Sequence, residues 1–472
     1  MRLKRKVIQP HSLFTVVQGE DIVIGGGNAG LSAAIELASL GRKVKVLEAA
    51  PKFYRGGNSK YTRDIRYAHD NDRFTSGSYS ESELLSDLKS VSGQLPDEKM
   101  ASLVVDMSRE MPYWMEKHGI RFKQEIKGTL DLSRTNAFFL GGGKALMDAY
   151  YQWADHLGIS IVYDAKVNDI KLQGNRCSKI ETMVMGKATE MASENFIIAS
   201  GGFESNRKWL EEIWGPGSRN FRIRGTSYNM GEPLRSMIDH GAVIVGDPRG
   251  GHIIAVDDRA PEYDGGIVTR IDAIPKGIVV NKNCRRFYDE GEDIWPKRYA
   301  IWGKLVAGQE EQIAYVITDS AVRGHYMPTA FPPYVDSDIG NLAVKVGLNR
   351  ADLERTVREF NDHVSCEPSP EDGNFSCHTE GLLPPKSHWA SPIIKPPFYA
   401  YRLRPGLTFT YMGLKIDYHG RIVTGDGPIE NCYAAGEIAS GNILKSGYLA
   451  GFGLTIGCTT AWLSARDICN AA

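Results

Sequence analysis

The chain has 472 residues, 56 lysines and arginines against 57 aspartates and glutamates, and 42% hydrophobic and 24% charged residues. This is ordinary globular composition at a length that divides into two or more domains, so disorder is excluded as the dominant state. A net charge of −1 excludes a bulk electrostatic footprint for nucleic acid or an anionic membrane, and any charged ligand has to be gripped by a local cluster of side chains.

Met1 to Glu20 is basic, without an apolar core long enough for a secretory signal. A cytoplasmic location is expected, with a transit peptide as the alternative. Asp21-Ile-Val-Ile24 predicts a short strand that meets Gly25-Gly26-Gly27-Asn28-Ala29-Gly30. Leu31, Ala34, Ile35 and Ala38 then recur at helical spacing up to Gly41, and Val44 to Leu47 predicts a second strand closing on Glu48. In such a βαβ unit Gly25 makes the tight turn, Gly27 lets backbone approach a pyrophosphate, and Gly30 lets the helix pack on the sheet. The helix N-terminus aims unpaired N–H groups at the phosphates, and Glu48 is placed to accept from a ribose hydroxyl. An acid rather than an arginine there predicts an unphosphorylated ribose, hence FAD or NAD.

Ala145 to His156 predicts a helix, and Ile159–Tyr163 and Phe196–Ala199 predict strands, continuing the α/β pattern. Between His252 and Pro397 prolines cluster and Asn349 to Val364 reads as a surface helix, which predicts an inserted second domain. The organisation expected is a first domain over 15–250 and 398–472 with a second over 251–397. The longest uncharged stretch, Ser446 to Ala465, carries Gly447, Gly451, Gly453 and Gly457 and is read as a buried, ligand-lining segment rather than a membrane span. The seven cysteines are scattered, with no Cys-x-x-Cys pair. That predicts a reducing compartment without disulfides, iron–sulfur clusters or a metal site.

Arg55-Gly-Gly-Asn-Ser59, Ala199-Ser-Gly-Gly-Phe203 and Ala434-Ala-Gly-Glu437 resemble three FAD signatures of the fumarate reductase and succinate dehydrogenase flavoprotein family, in a match running from about Asp21 to the end. The resemblance implies an α/β fold, a Rossmann-type FAD-binding domain with an inserted α+β capping domain. It implies cofactor contacts at Arg55, Gly56, Gly57, Asn58, Ser59 and Thr62 beside the flavin, and at Ser200, Gly201 and Gly202 along the adenosine half. Gly436 and Glu437 hold the ribityl chain; Asn28, Ala29, Ala49, Val167 and Gly453 complete the set. Covalent attachment through a histidine is not expected, because Lys60 and Tyr61 follow the turn, so the FAD is non-covalent.

Longer strings, among them Gly56-Gly-Asn-Ser-Lys-Tyr-Thr-Arg63, Phe287-Tyr-Asp-Glu290 and Pro405-Gly-Leu-Thr-Phe-Thr-Tyr411, resemble the branch that oxidises tricarballylate to cis-aconitate and passes electrons to a separate membrane-associated iron–sulfur protein. A small polycarboxylate substrate and an iron–sulfur or quinone-linked acceptor protein are implied. There are departures. Thr408 and Phe409 stand where fumarate reductases carry a histidine pair, and Arg270 follows Thr269 where they carry a glutamate. Arg298 lies a few positions beyond the register of the family's catalytic arginine.

Desaturating a carboxylate removes a proton alpha to it and a hydride from the next carbon, so a base must face the flavin and cations must neutralise the carboxylates. A tricarboxylate carries about three negative charges at neutral pH, and the glutamate-to-arginine exchange at Arg270 moves the pocket that way. The candidate catalytic residues are Arg298, Arg270 and His252. The candidate substrate contacts are Thr269, Arg404, Phe409, Tyr411 and Arg63. Arg298 has a surface ion-pair role as its alternative, and His252 a satisfied core histidine. Other functional readings are a fumarate-reductase-like reductase of an activated alkene, a 3-ketosteroid-dehydrogenase-like enzyme, and a flavin electron-transfer subunit with no substrate of its own.

Overall fold

The computed structural model of the protein describes residues 15–16, 20–123, 132–292, 299–366 and 374–471. Most of the basic N-terminal stretch and Arg298 lie outside the described residues. In chain order, β1 (Glu20–Ile24), α1 (Asn28–Ser39) and β2 (Lys43–Leu47) form the βαβ unit. α2 (Gly142–His156) leads to β3 (Ser160–Val162) and, beyond an antiparallel sheet built on Ala165–Gln173 and Arg176–Val184, to β4 (Phe196–Ile198). A second group follows: β5 (Arg222–Ile223), β6 (Gly251–Asp257), β7 (Ile278–Val280), β8 (Ala314–Thr318), β9 (Tyr334–Asp336), α3 (Arg350–Asp362) and β10 (Phe398–Thr410). The chain closes with β11 (Arg421–Thr424), β12 (Gly427–Ala434) and α4 (Phe452–Ala471).

The first sheet has the order β11-β12-β4-β1-β2-β3, parallel except for its β11–β12 edge. Its central strands are apolar on both faces, with Val23, Val46 and Ile197 fully buried, because helices cover both sides. α1 is buried on almost every face, packed between the sheet and α4. The second sheet is organised on the 13-residue β10, which pairs with β5, β6, β8 and β9 along its length. It therefore recruits strands from both sides of 251–397. The predicted surface helix is α3, capped by Asn349, whose side chain accepts from Asp352 N.

Ser446 to Ala465 divides into a loop and most of α4, and among the described residues no helix is long and apolar enough to cross a membrane. The expectation of no disulfides is corrected: Cys366 and Cys377 are bonded, with Cα atoms 4.3 Å apart. Antiparallel pairing of Val364–Ser365 with His378–Thr379 brings the two cysteines together, a proximity that their 11-residue separation does not announce.

Candidate active site

The cofactor side is built by turns. β1 ends at Ile24 and the chain reverses through Gly25 (φ +109°), where a Cβ would lie 2.3 Å from Ala199 O. At Gly30 a Cβ would lie 1.9 Å from Gly25 O, so α1 packs against the turn with no room for a side chain. Gly27 differs: its Cβ would meet nothing nearer than Ser59 Oγ at 3.6 Å, leaving a bare backbone edge open to the cavity. α1 begins there with no cap from Gly27 and no acid in its first turn; Asn28 N donates to Ser59 Oγ at 3.0 Å, and the positive end and the next N–H groups are left for an anion. Glu48 is buried at the end of β2; Oε2 accepts from Gly26 N (3.0 Å) and Oε1 from Ala50 N (2.8 Å). Burial pushes its carboxyl up against the pull of those donors.

Asn58 locks the turn beside the predicted flavin. Its Nδ2 donates to Glu204 Oε1 and Thr408 O, each at 2.6 Å, and its Oδ1 accepts from Thr226 N at 2.8 Å. Glu437 Oε1 accepts from Thr410 N at 2.7 Å. Burial and then the neighbouring Glu204 hold the Glu437 carboxyl well above its usual range. Ser200 Oγ is buried without a hydrogen-bond partner among the described residues.

One continuous cavity is lined by Gly25, Gly27, Asn28, Ala29, Glu48 and Ala49 from the βαβ unit, by Gly57, Asn58, Ser59 and Thr62 from the next turn, and by Val167, Ser200, Gly201, Gly436, Glu437 and Gly453. Gly30, Arg55, Gly56 and Gly202 do not line it. Arg55 lies over the Tyr151 ring at 4.2 Å and donates to Tyr163 Oη at 3.2 Å. A helix N-terminus without an acid in its first turn, a buried acid beside it, side-chain-free glycine edges and an orphaned hydroxyl at Ser200 fit FAD.

The same cavity continues into a cationic wall lined by Arg63, Arg224, Arg270, His252, Tyr299, Tyr448, Thr408 and Phe409. His252 pairs with Phe409 across β6 and β10 immediately before a β-bulge, which turns both side chains toward the cavity. Its Nε2 is hydrogen-bonded to the Tyr299 hydroxyl at 3.0 Å, and its ring lies 4.2 Å from the Tyr448 ring. Burial, then the charges of Arg224 and Arg270, hold the imidazole well below its usual range, so it is neutral. Arg224 Nη1 donates to Thr408 Oγ1 at 2.8 Å; burial and the charge of Arg270 draw its guanidinium down to about 10. Arg270 Nη2 donates to Asp272 at 2.7 Å, while its buried Nε has no partner among the described residues. Against the pull of burial, Asp272 keeps Arg270 above its usual range. Arg63 is paired with Asp64 at 3.1 Å.

Three sequence candidates do not line the cavity. Arg404 reaches the carbonyls of Glu311 and Gln312, about 17 Å along β10 from Phe409. Tyr411, past the strand end, is fully buried and donates to Gly447 O. Thr269 donates to Gly266 O at 2.9 Å and closes its own turn. Among the cavity residues that sequence reasoning missed are Arg224, Tyr299, Tyr448 and Asp64. Each comes from a different segment, and no local spacing links them.

The model of the FAD binding domain family matches residues 21–454. The chain is 24% identical over 437 residues to NADH:fumarate oxidoreductase of Klebsiella pneumoniae (strain 342), covering 89% of this chain and 44% of that protein. It is 23% identical to NADH:acrylate oxidoreductase of Vibrio harveyi, covering 93% of this chain and 49% of that protein. The chain thus spans about half the length of these curated relatives. Among solved structures, 3-ketosteroid Δ1-dehydrogenase from Sterolibacterium denitrificans, in complex with 1,4-androstadiene-3,17-dione, superposes with a TM-score of 0.75 at 18% identity, over 96% of this chain and 100% of that one. That likeness establishes the fold, a Rossmann-type FAD domain with a capping domain. With the family match spanning nearly the whole chain and the cradle that it requires in place, the protein belongs to the FAD binding domain family.

Proposed function

We propose that the chain desaturates a small polycarboxylate, tricarballylate to cis-aconitate, with FAD as hydride acceptor. The observation that carries this reading is the convergence of Arg63, Arg224 and Arg270 on one buried wall of the cofactor cavity, with Arg270 Nε unpartnered. Guanidinium groups held close together out of water repel one another until an anion enters, and bidentate contacts to carboxylates orient a substrate as well as bind it. The same charges stabilise the enolate character that develops when the alpha proton leaves. Neutral His252 accepts or donates a hydrogen bond without adding charge. Three arginines weigh against a neutral steroid-like substrate, which calls for an apolar wall. Residues 251–397 are proposed as the capping domain, borrowing β5 and β10 from the flanking cofactor-binding segments, and a separate iron–sulfur or quinone-linked protein as the electron acceptor.

The test is anaerobic mixing of the FAD-loaded protein with mono-, di- and tricarboxylates side by side. Bleaching of the flavin absorbance by tricarballylate, ahead of succinate and monocarboxylates, is expected; no bleaching by tricarballylate with FAD bound sinks that substrate. A second reading, reduction of an unsaturated carboxylate, is favoured by the two relatives whose names join NADH to fumarate and to acrylate. It predicts that chemically reduced protein is reoxidised by fumarate faster than by cis-aconitate.

A further inference from the structure

We propose that Arg224 is the anchor for the one carboxylate that every ligand of the cationic wall must carry, and that Arg270 and Arg63 read the further carboxylates and set the preference for a polycarboxylate. The inference rests on the carboxylate reading above and divides among three side chains the task given there to all of them. The three guanidinium groups are engaged differently. Arg63 Nε is 3.1 Å from Asp64 Oδ2, and Arg270 Nη2 is 2.7 Å from Asp272 Oδ2. Arg224 has only neutral acceptors among the described residues: its Nε donates to Gly266 O at 3.3 Å and its Nη1 to Thr408 Oγ1 at 2.8 Å. These contacts engage two of a guanidinium's five N–H donors, in a residue that is 5% exposed and lines the cavity. A buried charge with neutral partners alone is costly until a counter-ion joins it, and the cavity is the way by which one arrives.

Arg224 is also fixed in register with the cofactor side. Its N–H donates to Leu407 O at 2.9 Å and its carbonyl accepts from Gly266 N at 2.9 Å, so the backbone is held on both flanks. The residues that follow it run directly against the turn at Gly57–Tyr61: a Cβ on Gly225 would lie 1.8 Å from Asn58 Oδ1. Asn58 Oδ1 accepts from Thr226 N at 2.8 Å, and its Nδ2 donates to Thr408 O at 2.6 Å. One asparagine therefore places both Arg224 and the threonine that orients its guanidinium, and a carboxylate gripped there meets a group with little freedom left to lose.

Arg270 and Arg63 present charges already offset by an aspartate, so their pull is felt by ligand carboxylates that come within hydrogen-bond reach. Arg270 keeps a buried Nε without a partner among the described residues for that purpose. A monocarboxylate therefore depends on Arg224, whereas the gain from each added carboxylate depends on the paired arginines.

The test uses the FAD-loaded protein with acetate, malonate and citrate, none of which has C–H bonds on two adjacent carbons, so that none can be desaturated. Binding is read from the shift in flavin absorbance and by calorimetry, at constant ionic strength. Affinity of the wild type is expected to rise from acetate to citrate. Arg224→Gln is expected to weaken all three by a common factor, roughly 10- to 100-fold, with FAD content and the citrate-to-acetate ratio of affinities little changed. Arg270→Gln is expected to lower that ratio by about tenfold or more. Acetate bound by Arg224→Gln as tightly as by wild type, or a ratio that collapses in Arg224→Gln and survives in Arg270→Gln, overturns this assignment and leaves the carboxylate reading standing. Wild type that binds malonate and citrate but not acetate also overturns the anchor, since one guanidinium then does not suffice. Wild type that binds none of the three overturns the carboxylate reading and this inference with it. If Arg224→Gln fails to fold or to hold FAD, Arg224→Lys keeps the charge without the two-pronged geometry. A smaller loss common to all three is then expected, and a loss confined to malonate and citrate, or no loss at all, overturns the proposal.

Discussion

Arg224 and Arg270 are an unusual use of charge in a protein interior, since Arg270 contributes to drawing Arg224 down while only Arg270 is held up by an ion pair, with Asp272. The arrangement is understandable if a bound anion supplies the missing charge. Replacing either by glutamine removes a charged hydrogen bond worth about 1.5–3 kcal/mol, so KM for the carboxylate is expected to rise roughly 10- to 100-fold with FAD content unchanged. Steady-state kinetics on Arg224→Gln and Arg270→Gln check this, and an unaltered KM in both assigns the arginines a structural role. His252 carries a pH prediction. Its folded-state pKa is depressed by burial and the two arginines, whereas in the unfolded chain it titrates near ~6.5. The unfolded state therefore binds more protons in that window, so the stability contribution of His252 is full above about 6.5 and is lost as pH falls. His69 and His118, lowered chiefly by burial, act in the same direction. Melting temperature against pH is expected to fall less steeply on the acid side for His252→Asn than for wild type.

The turn at Gly57–Tyr61 and strand β10 meet through one side chain. Asn58 satisfies Glu204, the Thr408 carbonyl and the Thr226 N–H, so Asn58→Ala leaves buried polar groups unpaired at about 1–3 kcal/mol each. A lower melting temperature and faster FAD loss are expected, and an unchanged FAD off-rate would show that the turn holds its place without Asn58. The contrast between this turn and the substrate wall explains what was legible in the sequence. The cradle is made of contiguous turns whose glycines answer to close approaches of a few ångströms, so Gly25, Gly27 and Gly30 and the acid at Glu48 can be read from spacing alone. The wall is assembled across the fold. Arg224, His252, Arg270, Tyr299 and Tyr448 come together only once β10 has paired with β6 and the loop ahead of α4 has docked. The 13-residue strand also misled: Arg404 is close to Phe409 in sequence, but five residues of extended strand set them about 17 Å apart, and Arg404 is spent on the carbonyls of Glu311 and Gln312. His252 was reachable through family resemblance, whereas the bulge that aims it was not.

At the scale of the molecule, a net charge of −1 conceals a cavity with one cationic wall and one glycine-lined wall, and the cofactor is what joins them. The lining runs from Ile24 to Gly457 and draws on both large sheets. Bound FAD therefore contacts elements of both sheets, which also share one hydrophobic core. Anything that binds the folded state alone stabilises it by mass action, about 2.7 kcal/mol at a free concentration 100 times Kd. Removing FAD with a chaotropic salt is accordingly expected to lower the melting temperature by several degrees, and titrating FAD back to raise it progressively until the site is filled. The cofactor is expected in the supernatant after acid precipitation, because the turn that runs beside it carries Lys60 and Tyr61 rather than a histidine. A melting temperature indifferent to FAD would mean that the two sheets are already rigidly joined without it, and yellow colour retained in the precipitate would mean a covalent bond that the residues of this turn do not supply.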